Sequence, residues 1–270
     1  MKRILAVLSL LPIVLQAQTE WIRHGDHVSV GAEVFFPSFN TLNYTETTGF
    51  VAIASGRILI PGGSVLVLEL PFMQSKQTYS SPFVPSSLSS SKSSIGNPYL
   101  GMEFGTGTAF FAFGVRLPVI SVENVSAAAA AFPADFLHIE RYSPKTVAIQ
   151  LNYNVNPTVA DIVLLHFLVG PMFWFPTGNS NGKMEIFADY QIGAGVDLAP
   201  VRVAIGITGR MILSEENILP GQRTAHMLQI EAGTQFGPLH PGIFYRKPLG
   251  QEEYSDFVKS IFGGTISVEL

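Results

Sequence analysis

The chain has 270 residues, a formal net charge of -4, 47% hydrophobic and only 13% charged residues, and no cysteine. So small a charge, acidic in sign, excludes a nucleic-acid-binding protein, and the missing thiols exclude a disulfide framework and a lipid-anchored cysteine. The apolar residues are spread through segments punctuated by Gly, Ser, Asn and Pro rather than gathered into helical blocks. That is the pattern of a transmembrane barrel, weaker per segment than that of a membrane helix.

At the start of the chain Lys2 and Arg3 precede an apolar run from Ile4 to Leu15, with Ala17 at a small-residue cleavage position. Residues 1–17 are therefore expected to be a secretory signal peptide, leaving 18–270 as a single barrel domain. His24, Asp26 and His27 in the run HGDH have metal-ligand side chains, but they fall in a solvated approach to the first strand. No metal and no cofactor is assigned on that basis.

Period-two alternation then predicts about twelve antiparallel strands, an even number that suits a single-chain up-and-down barrel. They lie near His27 to Phe36, Thr48 to Ile60, Ser64 to Phe72, Ile95 to Gly105, Thr108 to Val119 and Thr146 to Val155. The second half runs Val159 to Phe175, Met184 to Leu198, Val201 to Ile212, Ala225 to Phe236, Leu239 to Lys247 and Phe257 to Leu270. Val159 to Phe175 has the composition of a membrane helix, yet Asp161, His166 and the Gly170-Pro171 pair interrupt it, and its β-branched and aromatic residues favour a strand.

The clearest hairpin is Met184 to Ile212. Ile186, Tyr190, Ile192, Val203, Ile205 and Ile207 share one face, while Glu185, Asp189, Gln191, Arg202 and Arg210 share the other. Pairing Leu198 with Val201 across Ala199-Pro200 puts Asp197 opposite Arg202 and Asp189 opposite Arg210, two charge matches from one turn. Strands of about a dozen residues exceed the usual five or six of soluble sheets and approach a tilted bilayer span.

The connections alternate in length. Tight breaks at Pro61-Gly62-Gly63, Thr106-Gly107, Asn156-Pro157-Thr158, Ala199-Pro200 and Gly237-Pro238 read as periplasmic turns. Longer polar stretches between them read as external loops. Gln74 to Ser94, rich in Ser, is expected to be a flexible external segment, and Ser121 to Ser143 an insert with two short helical pieces. That insert either folds into the mouth as a constriction or caps the rim. Phe35-Phe36, Phe72 and Phe173-Trp174-Phe175 end outgoing strands and are expected to form an outer aromatic girdle.

The last strand places Val258, Phe262, Ile266, Val268 and Leu270 outward against Lys259, Gly263, Thr265, Ser267 and Glu269. It resembles the C-terminal insertion signal of bacterial outer-membrane barrels, with Leu270 where an aromatic is usual, and so implies the outer-membrane insertion machinery as a partner. SSIGNPYLGMEFG (Ser93 to Gly105), FGVRLPV (Phe113 to Val119) and PADFLHIERYSP (Pro133 to Pro144) resemble bacterial outer-membrane transporter-like, porin-like barrels. The resemblance implies a bacterial outer-membrane location, contact with outer-membrane lipid and a channel-like role; it carries over no functional residue.

If the apolar face meets lipid, the lumen holds Glu33, Glu69, Glu103, Arg116, Gln150, Asn152, Glu185, Asp189, Arg202, Arg210, Gln229, Glu231 and Arg246. Glu103, Asp189, Arg202, Arg210 and Glu231 are candidates for solute contact. Arg116, expected opposite Asn97, and Arg246, expected opposite Gln229, lack an acidic partner in their own hairpins and are the foremost candidates. No GxSxG, HExxH or P-loop occurs, and His166 sits among lipid-facing or core positions with no nucleophile beside it. The expected function is thus non-enzymatic: a narrow passive channel for small solutes, or alternatively a surface barrel whose lumen is plugged and whose loops bind partners.

Overall fold

The computed structural model describes residues 28–40, 45–80, 87–105, 108–178, 182–214, 223–250 and 258–270. The expected signal peptide, the HGDH run and the Thr106-Gly107 turn lie outside these residues. Fourteen strands follow in chain order: β1 (Ser29–Phe39), β2 (Thr45–Ile60), β3 (Ser64–Tyr79), β4 (Leu88–Ile95), β5 (Tyr99–Phe104), β6 (Ala109–Arg116) and β7 (Thr146–Val155). Then come β8 (Thr158–Val159), β9 (Val163–Pro176), β10 (Glu185–Leu198), β11 (Val201–Ile212), β12 (Thr224–Thr234), β13 (Leu239–Leu249) and β14 (Val258–Glu269). β4 and β5 run in succession along β3 as one stave, and the two-residue β8 folds back on β9. Twelve antiparallel staves remain, and β14 pairs with β1 to close the ring.

Closure follows from the solvent. In hydrocarbon an unpaired backbone N–H or C=O costs several kcal/mol, so a strand can cross only with both edges bonded. The central hairpin adopts the register read from its charges, Leu198 opposite Val201, Asp197 opposite Arg202 and Asp189 opposite Arg210. Ile205 and Ile266 lie on the outer face, 51% and 37% exposed, whereas Asp189, Arg210 and Glu231 are buried inside. Outer exposure is exposure to lipid tails.

Several expectations need correction. β3 runs on to Tyr79 and pairs with β4 from Phe72 opposite Ile95 to Tyr79 opposite Leu88, so most of the serine-rich stretch is ordered ribbon rather than flexible loop. Its hydroxyl-bearing residues are short enough to pair backbones without needing a core. β9 begins at Val163, because Ala160 and Asp161 take left-handed conformations (φ 52° and 58°) and turn Val159 back onto Val163. In β14 a register shift against Ser38 and Phe39 turns Val258 inward, fully buried, and leaves Lys259 exposed. The girdle is also only partly external. Phe36, Phe50 and Phe72 form a chain of rings with centroids 6.2 and 5.9 Å apart, but Phe35 is buried inside and Trp174 packs on the buried Ala148, Met172 and Phe187.

The insert between β6 and β7 settles inside the outer half of the ring. It comprises a 3-10 helix Val122–Ala129, one α-helical turn Ala131–Ala134 and a 3-10 helix Phe136–Arg141. Ala127, Ala128, Ala130 and Ala131 are fully buried, and all but Ala130 join Leu137 and Tyr142 in one apolar cluster with Phe35, Val51, Met73, Met227, Phe244, Val258 and Ile261 of the wall. Methyl-sized side chains let the helical backbone approach the strands. At Gly49 the approach is tight enough that an added Cβ would stand 2.8 Å from Ala130 Cβ and 2.2 Å from Gln74 O.

The two faces make a quantitative prediction. Ile205→Arg, which puts a cation into hydrocarbon, is expected to destabilise the folded barrel by about 2–4 kcal/mol in urea titrations from liposomes. Ile205→Leu is expected to be nearly neutral.

Candidate functional site

The break between β4 and β5, Gly96-Asn97-Pro98, is where the wall grips the insert. Asn97 is fully buried and all its side-chain capacity is used. Its Nδ2 donates to Glu140 O (2.9 Å) and Ser143 O (2.6 Å), while its Oδ1 accepts from Val119 N (2.9 Å) and Ile120 N (3.1 Å). Its backbone N–H donates to Arg141 O at 2.7 Å. One amide thus holds both the entry and the exit of the insert. Asn suits this position because it alone combines two donors with an acceptor that takes two bonds on so short a stem.

Glu140 is the second anchor. Its carboxylate, fully buried, accepts from Arg210 Nη1 of β11 at 2.8 Å, and Arg116 Nε of β6 stands 3.6 Å away. Arg210 is itself bidentate to Asp189, with Nε to Oδ1 at 2.6 Å and Nη2 to Oδ2 at 2.9 Å. Burial alone would raise the Glu140 pKa, but Arg210, His138 and Arg116 outweigh it and hold the carboxyl well below the usual carboxylate range. Within the insert, Arg141 Nη1 and the Tyr142 hydroxyl both donate to Asp135 Oδ2, at 2.7 and 2.8 Å. Burial and the Asp135 charge push the Tyr142 phenol up, so it stays a donor.

Beneath the insert, in the periplasmic half, lies a cavity of about 190 Å³ with His138 and Arg141 on its insert side. Arg57 and Glu103 pair along its wall through two hydrogen bonds, over the intervening β3, and Glu69 accepts from Arg116 and pairs with Arg141 at 3.5 Å. Arg116 Cζ also stands 4.8 Å from the centroid of the Tyr99 ring. That ring lies over Gly101 and Gly114, where an added Cβ would come within 2.5 and 2.2 Å of it.

Of the sequence candidates, Arg116, Glu103 and Asp189 line this cavity. Arg210 sits above it as the insert's clamp. Arg246 lies opposite Gln229 as expected, donating to Gln229 Oε1 at 2.7 Å and to Glu33 Oε1 at 3.1 Å, with its guanidinium 4.3 Å from the Phe244 ring centroid. Glu231 accepts from Gln229 Nε2 at 2.9 Å. Arg202 pairs with Asp197 at the periplasmic turn, away from the other candidates (2.8 Å). Arg116 lies opposite Tyr99, not Asn97, because Asn97 is drawn toward the insert.

The acids that meet Arg116 and Arg246 belong to other hairpins and to the insert, contacts that period-two spacing does not encode. Arg57, Asn97, Asp135, Glu140 and Arg141 were missed. For Arg57 the signal was present, since it continues the inward parity of Val51, Ile53 and Ser55. His166 also needs correction: it faces the lumen, buried between Asn156 Oδ1 (2.5 Å) and Gln191 Oε1 (2.8 Å). Among the described residues no group of three His, Asp or Glu side chains could hold a metal ion.

No family model and no curated protein matches the sequence. Solved structures do share the fold. An outer membrane channel from Pseudomonas putida F1 superposes with a TM-score of 0.60 at 10% identity, covering 94% of this chain and 99% of that one. The β domain of the Bordetella autotransporter BrkA gives 0.54 at 9% identity, over 90% and 100% of the two chains. The translocator domain of the autotransporter NalP from Neisseria meningitidis gives 0.50 at 11% identity, over 92% and 89%. The sealed ring, its apolar exterior, its polar interior and these neighbours together show the fold of an outer-membrane-type β-barrel.

Glu140→Gln removes one charge-assisted bond to Arg210 and is expected to loosen the insert by about 1.5–3 kcal/mol, roughly ten-fold to a hundred-fold faster amide exchange in 122–141. The pH response has a definite sign. A depressed carboxyl contributes fully above the ordinary Glu value near ~4.3 and is lost as pH falls toward the folded value. The Glu140 contribution to protection of the insert is therefore expected to be intact at about pH 5 and to fall below about pH 4.

Proposed function

We propose that this chain is an outer-membrane channel for small solutes, narrowed by its own insert. The observation that carries the reading is the charged and amide-lined cavity lying directly beneath a plug that only noncovalent contacts hold in place. Twelve strands fall between the eight of a barrel filled by side chains and the sixteen or more of open pores. Such a ring has space for a path and needs a restriction to be selective. The Pseudomonas putida protein of the same fold is described as an outer membrane channel, which favours the same role here.

On this reading Arg116, Glu103 and Asp189 meet the solute beneath the plug, while Arg210, Glu231 and Arg246 belong to the wall against which the insert is docked. Arg202 orders the periplasmic mouth. The lipid of the outer membrane and the machinery that inserts barrels are the partners, and residues 1–17 are the export signal. The role is passive passage rather than catalysis.

One observation favours the second reading, a non-transporting surface barrel: the lumen arginines are engaged by carboxylates, as in Arg57 with Glu103, Arg116 with Glu69 and Arg210 with Asp189 and Glu140. Planar-bilayer conductance separates the two. The wild-type barrel is expected to show small unitary currents, and a variant with 122–141 replaced by a short turn currents several-fold larger. A silent wild type beside a conducting plugless variant would establish the plugged surface barrel instead.

A further inference from the structure

The inward face of β7 carries an unbroken run of carboxamides. In AIQLNYNVN the outward positions are Ile149, Leu151, Tyr153 and Val155, and the inward ones are Gln150, Asn152 and Asn154, followed just past the strand end by Asn156, which bonds His166. The first three line the cavity beneath the insert, and Gln191 of β10 joins them on the same wall. Asn152 and Asn154 are 9% and 6% exposed, and Asn152 Oδ1 is buried without a hydrogen-bond partner among the described residues. That oxygen has almost no accessible surface and packs against Gly170 of β9, so what a solute in the cavity can reach is the rest of the ladder, the remaining carboxamide atoms of Gln150, Asn152 and Asn154.

The charged side chains of the same cavity make a different offer. Arg57 is committed to Glu103 and Arg116 to Glu69, so an ionic solute would have to break a pair to gain one. Carboxamides present donors and acceptors together with no net charge, which is the complement of a hydroxyl group, itself both donor and acceptor. A ladder of them at every second residue repeats along a strand at about 6.8 Å, so successive rungs would meet hydroxyls at opposite ends of one small polyol or across one sugar ring rather than neighbouring ones.

We propose that the β7 carboxamide ladder is a binding site for an uncharged, hydroxyl-rich small solute of the polyol or sugar class. The inference rests on reading the lumen as a solute path and names what that path selects. The cavity, at about 190 Å³, has the volume of about six waters, whose release on binding a polyol leaves the same hydrogen bonds made by the ligand.

Saturation-transfer NMR on the folded full-length barrel in nanodiscs tests it, with sorbitol, glycine betaine and succinate as the neutral, zwitterionic and anionic probes. Sorbitol is expected to give a signal, the two charged probes none. Asn152→Leu and, as a second variant, Asn154→Leu are each expected to weaken sorbitol binding roughly ten-fold, with folding checked by heat-modifiable gel mobility. Equal or stronger binding of betaine or succinate, or sorbitol binding unchanged in both folded variants, would overturn the proposal. Conductance of the same preparations keeps the two readings apart. A barrel that conducts without binding sorbitol loses this site and keeps the channel, and one that binds sorbitol without conducting does the reverse.

Discussion

Every strand of this protein answers to one constraint: a peptide group surrounded by hydrocarbon has nothing to bond with but another peptide group. The seam between β1 and β14 is therefore as necessary as any hairpin, and it is the one pairing that joins the two ends of the described chain. Once the ring is sealed, the pleat decides the rest. Alternate residues must meet lipid, and those between them must share a narrow interior where each charge needs a partner.

That logic explains what could be read from the residues and what could not. The hairpin of β10 and β11 was legible because its register is local: a two-residue turn fixes which side chains face, and Asp189 with Arg210 then checks the answer. The fate of the insert was not legible. Its alanine-rich run states a helical preference, but whether it stands on the rim or descends depends on Gly49, Met73 and Phe244, which lie far away in sequence and carry no periodic mark. The same gap hid the partners of Arg116 and Arg246. Asn97 is the plainest case, since Gly-Asn-Pro reads as a break in a strand, and only the fold shows that the break gives the insert its anchor.

The docking of the insert also shows how a polar interior can specify one arrangement. Removing Glu140 or Arg210 alone would leave the other charge buried with fewer partners, which is far costlier than replacing both by apolar groups of like size. Glu140 is met by Arg210 from β11 and Arg116 from β6, so one carboxylate ties together walls separated by β7, β9 and β10. The apolar cluster around Ala127 and Tyr142 supplies adhesion, while the ion pairs and the Asn97 amide fix orientation.

The serine-rich ribbon of β3 and β4 carries part of the chain clear of the ring. Its eight paired positions, from Phe72 with Ile95 to Tyr79 with Leu88, reach about 24 Å past the ring of phenylalanines, and Ser75 Oγ donates to Ser126 O of the insert at 2.5 Å. The ribbon overhangs the mouth. Ser89, Ser90, Ser91 and Ser93 are exposed along the ribbon and line neither the cavity nor the closed wall, so substitutions there leave the strands that face lipid and the lumen unaltered.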